Sequence, residues 1–341
     1  MRNPGVGLTL AFIGALLGAL LAAAPARAQT PPASTNTPDP ANAPEQSSLV
    51  VGALQIGSSA DLEVDGIDIS IANDSVVYSY LLKNAGTKEL SLTASVSMPE
   101  LQASADGSQT WVLPSNNPEN PVGLTITAGG DPIAPQAEVR AYALGLDRTA
   151  EITAEHLPLM PFGPETEKAL AALSPETVSR LAALGIVSPR DPDQPKARLG
   201  ADWTLDGVLS WRQTLPPGKP VPIVVKFTPV KAEYRLAKGD QDDLDDLKDD
   251  VCLQPQVLGT LQSRLKSGGA WKVSDMSLAI DGPAHWVDDP APTLSVQKPQ
   301  GDAIVAFCGM DDKTANRATV LGVTPDNTTE IRIVVFTPGK K

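Results

Sequence analysis

Short runs of alternating apolar and polar residues recur along most of the chain. The clearest run is 89–98, in which every second residue is apolar: Leu90, Leu92, Ala94, Val96 and Met98. A period of two places these side chains on one face of a strand, so the pattern predicts a half-buried β-strand. A similar run at 75–83 precedes it, with the turn-like segment 84–88 between them. We therefore predict a β-hairpin.

The same alternation predicts further strands on both sides of the middle of the chain. Those in the first half fall at 49–56, 62–71, 122–126, 138–144 and 149–153. Two runs at 203–211 and 221–228 are separated by a Pro- and Gly-rich turn, and we predict a second hairpin there. The last strands fall at 271–280, 293–296, 303–307, 318–323 and 330–336. The predicted fold class is mainly β, with antiparallel sandwich-like units.

Helical spacing interrupts the strand pattern in two places. The segment 164–186 is predicted to be an inserted helical pair, with one helix at 165–173. Ser174 is a good N-cap and Pro175 suits the first helical position, so a second helix begins there and ends at Gly185. A further helix is predicted at 256–265, where apolar residues recur every three or four positions.

The first 28 residues have the pattern of a cleaved secretory signal peptide. Arg2 is followed by an uncharged apolar stretch from 6 to 24, and Ala26 and Ala28 provide the small residues that precede a cleavage site. We expect cleavage after Ala28 and a periplasmic or secreted protein. An uncleaved membrane anchor is the alternative, because 19 uncharged residues approach membrane-spanning length.

The predicted organisation after the signal peptide has two parts. Residues 29–47 are rich in Pro, Ser, Thr, Asn and Ala, and such a segment buries too little apolar surface to order itself. We interpret it as a disordered tether. Residues 48–338 form the β-rich domain, with a possible second β unit at 201–338. No transmembrane anchor is expected once the signal peptide is removed.

The chain is strongly acidic. Its net charge of −13 becomes −15 when Arg2 and Arg27 leave with the signal peptide. Binding to nucleic acid requires neutralisation of phosphates by Lys and Arg, so this charge argues against nucleic acid as a partner. Otherwise the partners are left unknown.

The only cysteines are Cys252 and Cys308, 56 positions apart. Two distant cysteines in an exported protein are most simply explained by a disulfide. A redox or metal-binding pair is the alternative, but it normally has the closer Cys-x-x-Cys spacing.

The order of several short motifs resembles a bacterial exported family catalogued as domain of unknown function 4424. The matching pieces are the early strand pair at 77–80 and 96–99, Trp211 before 213–216, the region of Cys252, the helix end at 266–268, Trp271, 276–281, 306–309, 324–325 and 336–338. The resemblance implies an exported, β-rich protein with a short helical insert and a paired cysteine. It implies no reaction.

Candidate chemistry is sparse. The two histidines, His156 and His285, both lie in turn-like contexts, and the mature chain has no nucleophile elbow and no phosphate-binding loop. The acidic run 240–250 could offer oxygen ligands to Ca²⁺, but it lacks the glycine of an EF-hand loop, and we interpret it as a solvated loop. A weaker set of acidic candidates consists of Asp61, Glu63, Asp65 and Asp68. The tryptophans could stack on sugars, although tryptophan in a sandwich is more often part of the core; they are Trp111, Trp203, Trp211, Trp271 and Trp286.

These observations favour a non-catalytic binding or envelope-associated β domain without a cofactor, and whether it is an enzyme stays uncertain. Two alternatives remain open. One is a carbohydrate- or peptide-acting hydrolase with paired carboxylates, because such partners need not be close in sequence. The other is a calcium-dependent adhesion module.

Overall fold

The computed structural model describes residues 49–103, 111–189, 198–280, 292–299, 301–310, 319–323 and 330–339. All of them belong to one unit, Glu45–Lys341. The predicted signal peptide (1–28) and tether (29–47), together with His285 and Trp286, lie outside the described residues, and so do the first residue of the predicted strand 318–323 and the family motif at 324–325.

Most strands belong to three sheets, which confirms the predicted mainly β class. The first sheet has the order β1-β4-β13-β9-β10, with β5 also paired to β13; its strands are β1 (Gln55–Ile56), β4 (Leu90–Ser97), β5 (Leu101–Gln102), β9 (Gln136–Ala143), β10 (Leu146–Asp147) and β13 (Thr204–Leu215). The second sheet has the order β19-β17-β2-β3-β14-β7-β8; its strands are β2 (Leu62–Ala72), β3 (Ser75–Asn84), β7 (Thr125–Ala128), β8 (Asp131–Ile133), β14 (Val221–Phe227), β17 (Thr293–Gln297) and β19 (Val320–Val323).

The third sheet has the order β18-β20-β16-β15-β6; its strands are β6 (Trp111–Val112), β15 (Lys231–Leu236), β16 (Ala270–Ala279), β18 (Ile304–Ala306) and β20 (Glu330–Gly339). A small ribbon joins β11 (Val187–Pro189) and β12 (Leu199–Ala201). All pairings in these sheets are antiparallel except that of β17 with β2. That parallel pair joins segments more than 200 residues apart, which strand patterns alone cannot indicate.

The main core lies on one face of the second sheet. It unites side chains of all three sheets, for example Ile69 of the second, Val96 of the first and Ile333 of the third. Two neighbouring tyrosines of β3 reach from this face to the other two layers. The hydroxyl of Tyr78 donates to the carbonyl of Ala279 at 2.6 Å, and that of Tyr80 accepts from the N–H of Leu54 at 3.1 Å. Burial raises the pKa of Tyr80, so its phenol stays protonated.

The helices cover the outer sides of the first and third sheets. One group packs around Trp203 and consists of α1 (Thr149–Ala154), α2 (Pro164–Ala171) and α3 (Pro175–Ala183). The other group packs against Trp271 and Phe336 and consists of α4 (Gln241–Asp250) and α5 (Pro255–Lys266). The N-cap at Ser174 is confirmed, because its Oγ accepts from the N–H of Thr177 at 3.1 Å. Gly185, with a φ of 70°, follows α3 as predicted.

Both predicted hairpins are wrong. β3 pairs with β2 and β14, whereas β4 pairs with β1 and β13. β13 and β14 likewise lie in different sheets. Each connection therefore crosses from one layer of the sandwich to the other. The reason is that a period of two shows which face of a strand is buried, and two strands that face each other across a core share this pattern with two strands of a hairpin.

Four smaller predictions also need correction. The segment 149–153 forms helix α1 rather than a strand, since its only fully buried residue is Ile152. The acidic run 240–250 is largely helix α4 rather than a loop, because Leu244 and Leu247 are spaced three apart and both are buried. In the predicted strand 49–56 only Gln55–Ile56 is extended in a sheet, and the strand predicted at 122–126 lies at Thr125–Ala128.

Candidate functional site

The two cysteines are joined by a disulfide, as predicted, with their Cα atoms 5.0 Å apart. Cys252 lies just beyond α4 with a φ of 51°, a conformation more usual for glycine at a helix end. The N–H of Leu253 donates to the carbonyl of Lys248 at 2.9 Å, and this hydrogen bond caps the C-terminal end of α4. Cys308 follows β18 by two residues, so the bridge fastens α4 to the edge of the third sheet.

A cluster of paired charges lies beside the bridge. Asp275 of β16 is 4% exposed and receives two hydrogen bonds from Arg332, at 2.6 and 3.1 Å. Arg332 also contacts the carboxylate of Asp250, at the end of α4, at 2.6 Å. The hydrogen bonds to Asp275 raise the pKa of Arg332, and burial raises the pKa of the nearby Tyr234. Since Arg332 pairs with a carboxylate of α4 and with one of β16, we interpret the cluster as a link between α4 and the third sheet.

The acidic candidates do not converge. The aspartates of α4 project around its solvent-facing side, whereas Asp61, Glu63, Asp65 and Asp68 are spread along the start of β2 and the turn before it. Glu63 is paired with Lys83 at 2.7 Å. Among the residues that the structure describes, no group of three or more Asp, Glu, His or Cys side chains could hold a metal ion.

The single described histidine and most of the tryptophans have structural positions. His156 is exposed and ends helix α1 with a φ of 57°. Trp203 and Trp271 are buried, and their indole N–H groups donate to main-chain carbonyls at 2.7 and 3.2 Å. Trp111 packs edge-on against Phe162 with ring centroids 4.8 Å apart. Trp211 lines a concave surface.

That surface is a groove of about 500 Å³, which opens where β9 separates from β13. The pairing of these strands ends at Ser210 and Gln136, whereas β13 stays paired with β4 as far as Leu215. The chain reaches β9 from β8 of the second sheet, and this crossing forms one wall. The lining residues are Thr93, Pro132, Ile133, Ala134, Gln136, Ser210, Trp211 and Arg212.

The groove combines one cation with neutral polar groups. Arg212 is exposed, and its Nε donates to the Oγ of Ser91 at 3.0 Å. The buried indole of Trp211 is held by the side chain of Gln213, with Nε1 and Oε1 3.1 Å apart. Of the eight lining residues only Arg212 carries a charge, and none is a carboxylate, a histidine or a cysteine. The lining is thus equipped for hydrogen bonding and for pairing with an anion.

Trp211 is a candidate from the sequence, whereas the rest of the groove is not among the predicted site residues. One signal was present, because the outward positions of β4 are occupied by hydroxyl residues: Ser91, Thr93, Ser95 and Ser97. The strand prediction at 89–98 rests on the apolar positions alone, so these hydroxyl residues did not enter it. The position at which β9 leaves β13 depends on pairing between segments about 70 residues apart, and no local pattern reports it.

The fold and the groove define a mainly antiparallel β protein with sandwich-like layers and a groove of ligand size that is lined by both polar and apolar residues. The chain belongs to the family described as a domain of unknown function (DUF4424), whose sequence profile matches residues 44–329. This confirms the resemblance drawn from the motifs.

Other comparisons give a distant fold likeness. No curated protein matches the chain. A similar solved structure is that of a "putative nutrient binding protein" from Legionella pneumophila subsp. pneumophila str. Philadelphia 1. It is 12% identical, with a TM-score of 0.38, over 84% of this chain and 71% of that chain. Among the described residues, no helix is both long and apolar enough to cross a membrane.

Proposed function

We propose that this is an exported binding protein, periplasmic or secreted after cleavage at Ala28, that holds a polar ligand in the groove beside Arg212. The signal-peptide pattern supports export, and so does the disulfide, since such bonds persist in oxidising compartments. The chemistry of the groove lining is the observation that carries the binding role. Hydroxyl, amide and guanidinium groups converge there on a space large enough for a small ligand.

The groove gives no support to the hydrolase alternative. Glycoside hydrolysis needs two carboxyl groups about 5–10 Å apart on either side of the bond that is cleaved. None of the eight described lining residues is acidic. The groove does not support the calcium-dependent alternative either, because the acidic run lies on helix α4 and not at the groove.

Ligand binding at the groove can be tested with purified mature protein and two matched variants. Arg212→Gln removes the cation of the groove, and Arg235→Gln removes an exposed arginine of β15 elsewhere. We expect a library of small carboxylates, oligosaccharides and short peptides to yield a compound that raises the Tm of the wild type and of Arg235→Gln. The same compound should have little effect on Arg212→Gln. A compound that acts equally on all three proteins would show that the groove is not the binding site.

A further inference from the structure

Among the described residues, no strand covers the edge of β13 inside the groove beyond Ser210. In an antiparallel ladder, successive residues direct their N–H and C=O groups alternately to the two sides of the strand. The N–H of Met98 bonds to the carbonyl of Gly207, so the odd-numbered residues of β13 face the β4 side. The even-numbered residues therefore face the β9 side, and β9 covers them only up to Ser210.

Arg212 is the first residue beyond this point. Within the part of the chain that the structure describes, neither the N–H nor the C=O of Arg212 has a main-chain partner on that side. At the next such position the carbonyl of Thr214 accepts from the Nε2 of Gln213 at 3.0 Å. The groove thus presents one unused donor and one unused acceptor of a strand edge, which is the pattern that an added peptide strand completes.

The side chain of Arg212 also lines the groove, and its guanidinium leans toward β4. Its Nε is bonded to the hydroxyl of Ser91, and among the described residues no carboxylate lies within ion-pair distance of it. In a protein with a net charge of −13, a cation without a carboxylate partner favours an anionic ligand. The terminal nitrogens of an arginine match the geometry of a carboxylate.

The direction of β9 determines which end of a peptide fits. A peptide antiparallel to β13 would have the same direction as β9 and would lie in line with it. Its carboxyl end would point at Gln136, where β9 already occupies the edge of β13. A longer chain would have to turn out of the groove at this point, whereas a peptide that ends here fits the edge without a bend. An antiparallel peptide therefore places its free α-carboxylate close to Arg212 and to the amide side chain of Gln136.

We propose that the groove binds the carboxyl terminus of an extended peptide, which adds a short strand to β13 at Arg212 and pairs its α-carboxylate with the guanidinium. This inference rests on the proposed function and specifies its ligand class. The apolar wall formed by Pro132 and Ile133 would contact side chains of the peptide. Among the described residues, Arg212 is the one groove position of β13 with both main-chain groups unused, so we expect weak binding, with a Kd of about 0.1–1 mM.

The test uses ¹⁵N-labelled mature protein and a pool of N-acetylated tetrapeptides with free carboxyl termini. We expect chemical-shift changes centred on the amides of Gln136, Arg212 and Thr214. The same pool as carboxamides, or with an N-methylated last amide, should bind about tenfold more weakly, as should Arg212→Gln. Arg235→Gln should bind like the wild type.

The outcomes separate the two proposals. Equal binding of the acid and carboxamide pools, or no effect of N-methylation, would overturn the carboxyl-terminal mode. If oligosaccharides or small carboxylates shift the groove signals while no peptide does, the groove is a binding site but the peptide inference is wrong. If no compound of any class shifts them, both proposals fail.

Discussion

The side-chain amide of Asn84 bonds to the carbonyl of Leu215 and so joins two of the crossings between the first and second sheets, β3 to β4 and β13 to β14. The Nδ2–O distance is 2.9 Å, and Asn84 is fully buried. The same Nδ2 donates to the carbonyl of Lys88 at 2.8 Å, and the Oδ1 accepts from the N–H of Gly86 at 2.9 Å. One polar side chain thus satisfies main-chain groups of both crossings.

We expect Asn84→Ala to lower the free energy of unfolding by about 2–4 kcal/mol, because buried main-chain groups would lose their partners. Urea denaturation followed by tryptophan fluorescence measures this. Asn73→Ala is the matched control, since the side chain of Asn73 makes only an exposed bond to Asp74. The control should change stability by less than about 0.5 kcal/mol. Equal effects of the two substitutions would contradict this role of Asn84.

Loss of the disulfide should lower stability by about 2–4 kcal/mol, because the bridge constrains the unfolded chain over 56 residues. The conformation of Cys252 allows a sharper comparison. Its positive φ of 51° favours glycine, so Cys252→Gly with Cys308→Ser should be more stable than Cys252→Ser with Cys308→Ser. The expected difference is about 1 kcal/mol in denaturant unfolding. A more stable serine pair would show that the end of α4 rearranges once the bridge is lost.

The ion pair of Arg332 and Asp275 should matter much more than that of Arg332 and Asp250. Arg332→Met leaves the carboxylate of Asp275 buried without its partner, and we expect a loss of about 3–5 kcal/mol. Asp250→Asn should cost less than about 1 kcal/mol, since Asp250 is exposed. The double variant Arg332→Met with Asp275→Leu should recover most of the loss in the same unfolding assay. A double variant no more stable than Arg332→Met would contradict this explanation.

Chelation should leave the protein unchanged. The aspartates of α4 point outward from a helix whose buried side is formed by Leu244 and Leu247, and a helix cannot wrap its carboxylates around one cation as a loop does. We therefore expect the same Tm in EDTA and in millimolar Ca²⁺, measured by differential scanning calorimetry at constant ionic strength. A Tm that falls with EDTA and is restored by Ca²⁺ would revive the calcium-dependent alternative.

The sequence by itself determined which residues are buried and where several elements begin. The alternation at 89–98 identified the buried face of β4, and Ser174, Pro175 and Gly185 marked the ends of α3, because caps and periodicity are local properties of the backbone. The export pattern together with two cysteines was enough to predict the disulfide. The family motifs were also recognisable in the sequence.

Only the tertiary structure decided which strands are neighbours. Two strands that face each other across a core and two strands of a hairpin share the same period, so the layer-crossing of β3 to β4 and of β13 to β14 was hidden. The amphipathic character of α4 was obscured by its high charge, because only Leu244 and Leu247 carry it. The groove at Arg212 exists because β9 leaves β13 at Ser210, and this depends on long-range pairing that no local pattern encodes.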